Sequence, residues 1–157
     1  MNYEITVDTT RVEQMLRTRF GPVEVSRRLR AALQDMVAML QGEVVKRTPV
    51  GATGLLRGSI ATDVRGTGFH DMRGTVSATG AAAKYAAVVE HGRSPGAFPP
   101  RGPIELWAQR VLGDASLWYV VARKIARSGT KGQFMFRDAL RKNRGKLPGI
   151  LARHFQR

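Results

Sequence analysis

The stretch "KYAAVVEHGRSPG" (84–96) holds a tyrosine, a glutamate and a histidine close together (Tyr85, Glu90 and His91) and runs straight into a loop rich in glycine and proline. A phenol, a carboxylate and an imidazole could supply an acid–base pair or one corner of a metal site. The spacing argues against both. Adjacent residues on a helix point about 100° apart, so neither Glu90 nor His91 pre-orients the other as proton transfer requires. A metal needs several converging ligands. The histidines, His70, His91 and His154, are scattered with no HExxH or His-x-x-x-His pair. "SGTKGQ" (128–133) lacks the GxxxxGK[ST] spacing of a phosphate loop and follows a helical pattern, where such a loop must follow a strand. No serine lies in a G-x-S-x-G elbow, and Ser59 and Ser94 stand beside glycines as turn serines do. The expectation is therefore no catalytic residue, no metal and no cofactor. Glu90 reads as a carboxylate that ties down nearby backbone N–H groups or an arginine.

The elements that must position these residues follow from periodicity. "YEITVD" (3–8) alternates and is β-branched, which predicts a short strand, followed by a short helix over about 10–19 that Phe20-Gly21-Pro22 interrupts. From Pro22 to about Arg47, Val25, Leu29, Leu33, Met36, Leu40 and Val44 form one apolar stripe at helical period, with Arg27, Arg30, Gln34 and Gln41 opposite. Thr48-Pro49 ends that helix. Two strands are predicted near 58–65 and 72–79, joined by "GTGFHD". Residues 81–90 lean to helix, with Ala82, Ala83, Ala86 and Val89 as a small-residue face and Gly92 as the stop. Residues 91–103 hold four prolines and three glycines and read as loop. Helical patterns follow near 103–112, 115–128, 134–142 and 147–156; in the second, Trp118, Val121, Ala122 and Ile125 share a face. The fold class is α+β: a long amphipathic helix on a small, mostly antiparallel sheet with additional C-terminal helices, in one domain over 1–157.

At 157 residues, with 43% hydrophobic and 24% charged residues and no cysteine, the chain reads as a globular domain without disulfides or thiolate chemistry. No apolar run approaches a membrane helix of about 18 residues, and no signal-peptide pattern opens the chain. The net charge of +14 points to a polyanionic or acidic partner. It is concentrated in residues 101–157, where 13 Lys/Arg stand against 3 Asp/Glu, net +10.

Two segments together resemble a known family. "RTPVGATGLLRGSI" (47–60) is similar to the Thr-Pro-Val-x-Thr-Gly-x-Leu-Arg-x-Ser stretch of small head–tail connector proteins of long-tailed DNA phages, and "YAAVVEHG" (85–92) to their Tyr-Ala-x-x-Val-Glu-x-Gly signature. "GTKGQFMFRDAL" (129–140) resembles the family's closing segment. One departure stands out: Gly51-Ala52-Thr53 replaces the family's Asp-Thr, and Thr53 is left to cap the turn. The resemblance implies a structural, non-enzymatic protein of the virion neck, built in the host cytoplasm and assembling as a homo-oligomeric ring around the axis of DNA exit. Its implied partners are other neck, portal-adaptor or tail-tube proteins. The motif residues it marks are Thr48, Pro49, Thr53, Gly54, Leu56, Arg57, Ser59, Tyr85, Glu90 and Gly92. Leu55, Leu56 and Ile60 are expected in the core, and Arg57 as the partner of Glu90. The basic residues Lys131, Arg137, Arg141, Lys142, Arg144 and Lys146 are expected to face DNA, without base reading, or an acidic neighbouring ring. The alternative is a sequence-independent nucleic-acid-binding protein. A toxin or nuclease would need a His/Asp/Glu cluster that the sequence does not offer.

Overall fold

The long helix α1 (Pro22–Arg47) is the element on which the rest is laid. Pro22 sits in its first turn, where a missing N–H costs nothing. Its predicted stripe, Val25, Leu29, Leu33, Met36, Leu40 and Val44, is at most 1% exposed, and Ala32 and Val37 widen it. The helix stops at Thr48, whose backbone is extended ahead of Pro49 (ψ 124°). The computed structural model describes residues 20–67 and 71–156. The expected strand at 3–8, the helix at 10–19 and residues 68–70 of the hairpin tip, His70 among them, lie outside the described residues.

A single helical turn, α2 (Leu55–Gly58), leads into β1 (Ile60–Arg65), which pairs antiparallel with β2 (Arg73–Ala78). Ile60 stands opposite Ala78 and Arg65 opposite Arg73. Ile60, Gly74 and Val76 are buried against α1, while Asp63, Arg65 and Arg73 face away. Two α1 residues expected on its solvated side instead hold the hairpin: Gln41 Nε2 donates to the Ile60 carbonyl at 2.6 Å, and the Arg30 guanidinium reaches the carbonyls of Val64 and Gly66. Leu55 is a correction to the expected core. At the start of α2 it is 68% exposed, whereas Ile60 is buried and Leu56 packs at the core's edge.

A 3-10 turn (Gly80–Ala82) opens α3 (Ala83–His91), which Gly92 ends with φ 82°. Residues 91–103, expected as loop throughout, contain two elements. The strand β3 (Gly92–Arg93) pairs with β4 (Thr130–Lys131), and α4 (Arg101–Trp107) begins before Pro103, which the first turn of a helix tolerates. After α4 the backbone widens into a π-helical turn to Leu112. Then come a 3-10 turn (Ala115–Leu117), α5 (Trp118–Ser128), α6 (Met135–Asn143), a further 3-10 turn (Arg144–Lys146) and α7 (Leu147–Phe155). Gly129 stops α5, as its position predicts.

The core has two clusters, both built on α1. One joins Val37, Leu40 and Val44 to Ile60, Val76, Ala86, Met135, Phe136 and Ala139. The other joins Leu29, Ala32, Leu33 and Met36 to Met72 and Ile150. Neither takes a residue from 94–128, whose helices pack mainly on one another. That excursion is an arm closed at its base by the β3–β4 pair. The architecture is α+β, as expected. Among the described residues no helix is long and apolar enough to cross a membrane.

Two glycines give opposite expectations. A Cβ at Gly74 would lie 2.6 Å from Val37 Cγ1, whereas one at Gly42, inside α1, would meet nothing within 4 Å. Gly74→Ala should lower stability by about 1–3 kcal/mol through overpacking. Gly42→Ala should raise it by about 0.5–1 kcal/mol. Urea unfolding of the two variants checks both signs.

Candidate functional site

The three motif segments meet at the N-terminus of α6. This end has no cap of its own: its N-cap residue, Phe134, is the one non-glycine with positive φ among the described residues (49°), and its side chain caps nothing. Glu90, at the end of α3, supplies the cap from a distance. Its Oε2 accepts the Phe136 N–H at 2.9 Å and its Oε1 the Arg137 N–H at 3.0 Å. The side chain is 2% exposed. Burial of a carboxylate costs several kcal/mol unless its oxygens are satisfied. Here two orphan amides and the positive end of a helix do so, each bond to the charged group contributing about 1.5–3 kcal/mol.

The backbone around Glu90 is fastened as closely. The Phe134 N–H donates to the Glu90 carbonyl at 3.0 Å and the Gln133 N–H to the Val89 carbonyl at 2.8 Å. Beside them, "EHGR" (90–93) crosses "GTKG" (129–132) so tightly that side chains are excluded. A Cβ at Gly132 would stand 2.6 Å from the Glu90 carbonyl oxygen, and one at Gly92 or Gly129 closer still to backbone oxygens. Phe134 covers the crossing. The His91 ring meets it edge-on at 6.2 Å, and the Arg137 guanidinium lies 3.6 Å from its centroid.

The first motif enters from the other side. The buried Thr48 hydroxyl donates to the Val44 carbonyl at 2.8 Å and lies 3.2 Å from Met135 Sδ, the first residue of α6. The Thr48 carbonyl accepts from Arg57 Nε and Nη2 at 3.2 and 2.8 Å. Arg57 therefore clamps the exit of α1 and is not the partner of Glu90. Of the two partners open to Glu90, backbone amides and an arginine, the structure selects the amides. Gly54 adopts φ 68° ahead of α2, and the Leu55 N–H reaches Thr53 Oγ1 at 3.4 Å. Ser59 Oγ donates to the Leu56 carbonyl at 2.8 Å, while the Ser59 carbonyl accepts from Thr79. Pro49 and Tyr85 stand apart, exposed. Sequence reasoning missed Met135, Gly132 and Phe134. The glycine pair of "GTKG" beside the closing motif was the one available signal.

The basic residues divide. Arg137 is held by Asp138 at 3.1 Å as well as by Phe134, Arg141 lies 3.5 Å from Asp138, and Lys146 bonds Asn143 Oδ1 at 2.9 Å. The bond from Arg137, with Arg141 and Lys142 nearby, holds the Asp138 carboxyl below the usual carboxylate range. Asn143 reaches Glu43 of α1, whose carboxyl is pulled down to about 2 by Arg47 first and then by Lys46. Lys131, Lys142 and Arg144 are exposed and form no ion pair with a carboxylate among the described residues. There is also no cluster of His, Cys, Asp or Glu among the described residues that could hold a metal ion.

A long helix on a short antiparallel hairpin, closed by a joint of backbone crossings, defines a scaffold in which the motif residues hold the fold together. Residues 13–92 match the family model described as "Bacteriophage HK97-gp10, putative tail-component". That span is half of the chain, and the protein belongs to this family of phage tail components. The match covers the first two motifs and ends at Gly92, before the arm and α6. Comparison with curated proteins and with solved structures finds no match.

Glu90→Gln places an amide donor against one of the two N–H groups and should cost about 1–3 kcal/mol. Gly132→Ala should cost at least as much, because backbone atoms cannot turn aside as a side chain can. Thermal unfolding of both variants checks this. A Glu90→Gln protein as stable as the wild type would remove the cap from the description of α6.

Proposed function

We propose that this tail component is a structural protein of the head–tail junction, a neck or tail-completion layer, and that it assembles as a cyclic ring around the axis of DNA exit. It works by assembly and not by catalysis: Glu90, the acid of its signature, is buried with both oxygens engaged and is closed to a substrate.

The observation that carries the reading is the arm. It adds nothing to either core cluster, yet it leaves Leu106, Val111 and Leu112 40–52% exposed. Arg110 Nη1 donates to the Ala52 carbonyl at 2.8 Å, tying the middle of the π-helical turn to the first-motif turn, where Val50 and Leu55 are exposed too. Exposed apolar groups on both sides of one link mark an interaction face. A head-to-tail contact repeated around an axis closes into a ring. The proline-rich segment between Gly92 and Pro103 is the part that a neighbour orders, since prolines lower the entropy that ordering costs. Lys142 and Arg144, with Lys131, are the cations left to face passing DNA, which they would hold through phosphates without reading bases.

A cryo-EM map of the intact particle tests this. The expected result is a cyclic layer between head and tail in which residues 91–103 touch the adjacent copy. A position elsewhere in the tail, or a loop that touches no other chain, would overturn it. For the DNA contact, Lys142→Gln with Arg144→Gln should flatten the log–log salt dependence of binding by up to roughly two units.

A further inference from the structure

Between Asp114 and Asp138 the chain carries Arg123, Lys124, Arg127, Lys131 and Arg137 and not one carboxylate. The helix α5 occupies the middle of this stretch. On one side Ala122 is fully buried and Val121 and Ile125 are half-buried, packed towards α4. The other side presents Tyr119, Val120, Arg123, Lys124 and Arg127, a spacing that keeps all five on one face. Tyr119 is 52% and Val120 64% exposed, and Tyr119 stacks on the half-exposed ring of Phe98 at 5.8 Å. Among the described residues, no carboxylate pairs with Arg123, Lys124 or Arg127. Arg101, on the neighbouring helix, is by contrast paired with Glu105. The face is thus an apolar platform over its first turn and unneutralised positive charge over the next two.

We propose that this face of α5 docks a different protein, one that presents carboxylates around an apolar centre. Duplex DNA would use the three cations but gains nothing from Val120 or Phe98, because its phosphate backbone offers no apolar counterpart and its bases are stacked inside. An apolar centre with a charged rim is the ordinary anatomy of a protein interface. A second copy of this chain is the wrong partner for this face by charge. Each copy is +14, and its described carboxylates are largely spoken for: Glu24, Glu43, Glu105 and Asp138 are ion-paired and Glu90 is buried. Like-signed surfaces brought together cost binding energy. The inference rests on the head–tail reading only for its setting, in which the occupant is an adjoining layer.

Fluorescence anisotropy of the full chain tests it with three labelled probes at physiological salt: a glutamate–tyrosine copolymer, poly-glutamate of the same length, and a short duplex DNA. The copolymer should bind about tenfold more tightly than poly-glutamate, the equivalent of roughly 1.4 kcal/mol. Tyr119→Ser with Val120→Ser should erase that difference while leaving poly-glutamate binding in place. Arg123→Gln, Lys124→Gln and Arg127→Gln together should weaken both. All five positions are exposed, and circular dichroism checks that the variants fold. DNA bound more tightly than the copolymer, with no response to the Tyr119/Val120 change, would assign the face to nucleic acid and overturn the proposal. So would self-association, read by light scattering, that either set of changes abolishes. Light scattering of the wild type reads ring formation separately. A non-assembling protein that still prefers the copolymer would sink the ring and leave this inference standing.

Discussion

A helix that cannot cap itself, met by a carboxylate that cannot reach water, is the constraint on which the second half of the fold depends. With Phe134 in a left-handed conformation, α6 begins with free amides. Glu90 is buried where only those amides can satisfy it. Neither group is tolerable without the other, so the pair sets the distance between α3 and α6 and the register of the crossing beside them. The glycines follow from that distance: at Gly92, Gly129 and Gly132 another backbone occupies the space of a Cβ. Thr48 then ties the same end of α6 to α1, so that all three motif segments converge on one helix terminus.

This joint also explains the division of labour in the chain. The arm leaves and rejoins the body at β3 and β4, whose closing residues are those of the Glu90 crossing. A base held by crowded backbone positions the arm without any packing of the arm into the core. Its apolar side chains are consequently free to stay at the surface. Of the motif residues, Thr48 and Glu90 lie inside and hold the scaffold together, whereas Pro49, Thr53 and Tyr85 are exposed; the apolar groups that suit assembly lie at the surface, on α4, α5 and the turn after α1.

Local patterns were legible in the sequence and non-local partners were not. The α1 stripe, its stop at Thr48 and the β1–β2 hairpin come from periodicity and proline geometry, and each stands where expected. The role of Glu90 was legible as a choice between amides and an arginine, because its burial could be foreseen but its neighbour, 46 residues away, could not. The acceptor of Arg57 is hidden for the same reason: the Thr48 carbonyl is nine residues back, and nothing in a sequence marks a carbonyl as free. Two-residue strands carry no periodicity, so in the sequence β3 is hidden within the glycine- and proline-rich stretch 91–103 and β4 within the turn after α5. Leu55 was misplaced because a leucine opening a single helical turn can face either way. The apolar face of the arm looks in sequence like any helix that buries its stripe. Only the packing tells which side is covered.

Amide hydrogen exchange at Phe136 and Arg137 tests most directly that Glu90 caps α6 and joins the motifs. Both amides lie in the first turn of a short helix, where exchange is ordinarily fast. Protection approaching that of the central amides of α1 is the predicted result. Exchange at the rate of an uncapped, exposed helix end would contradict it.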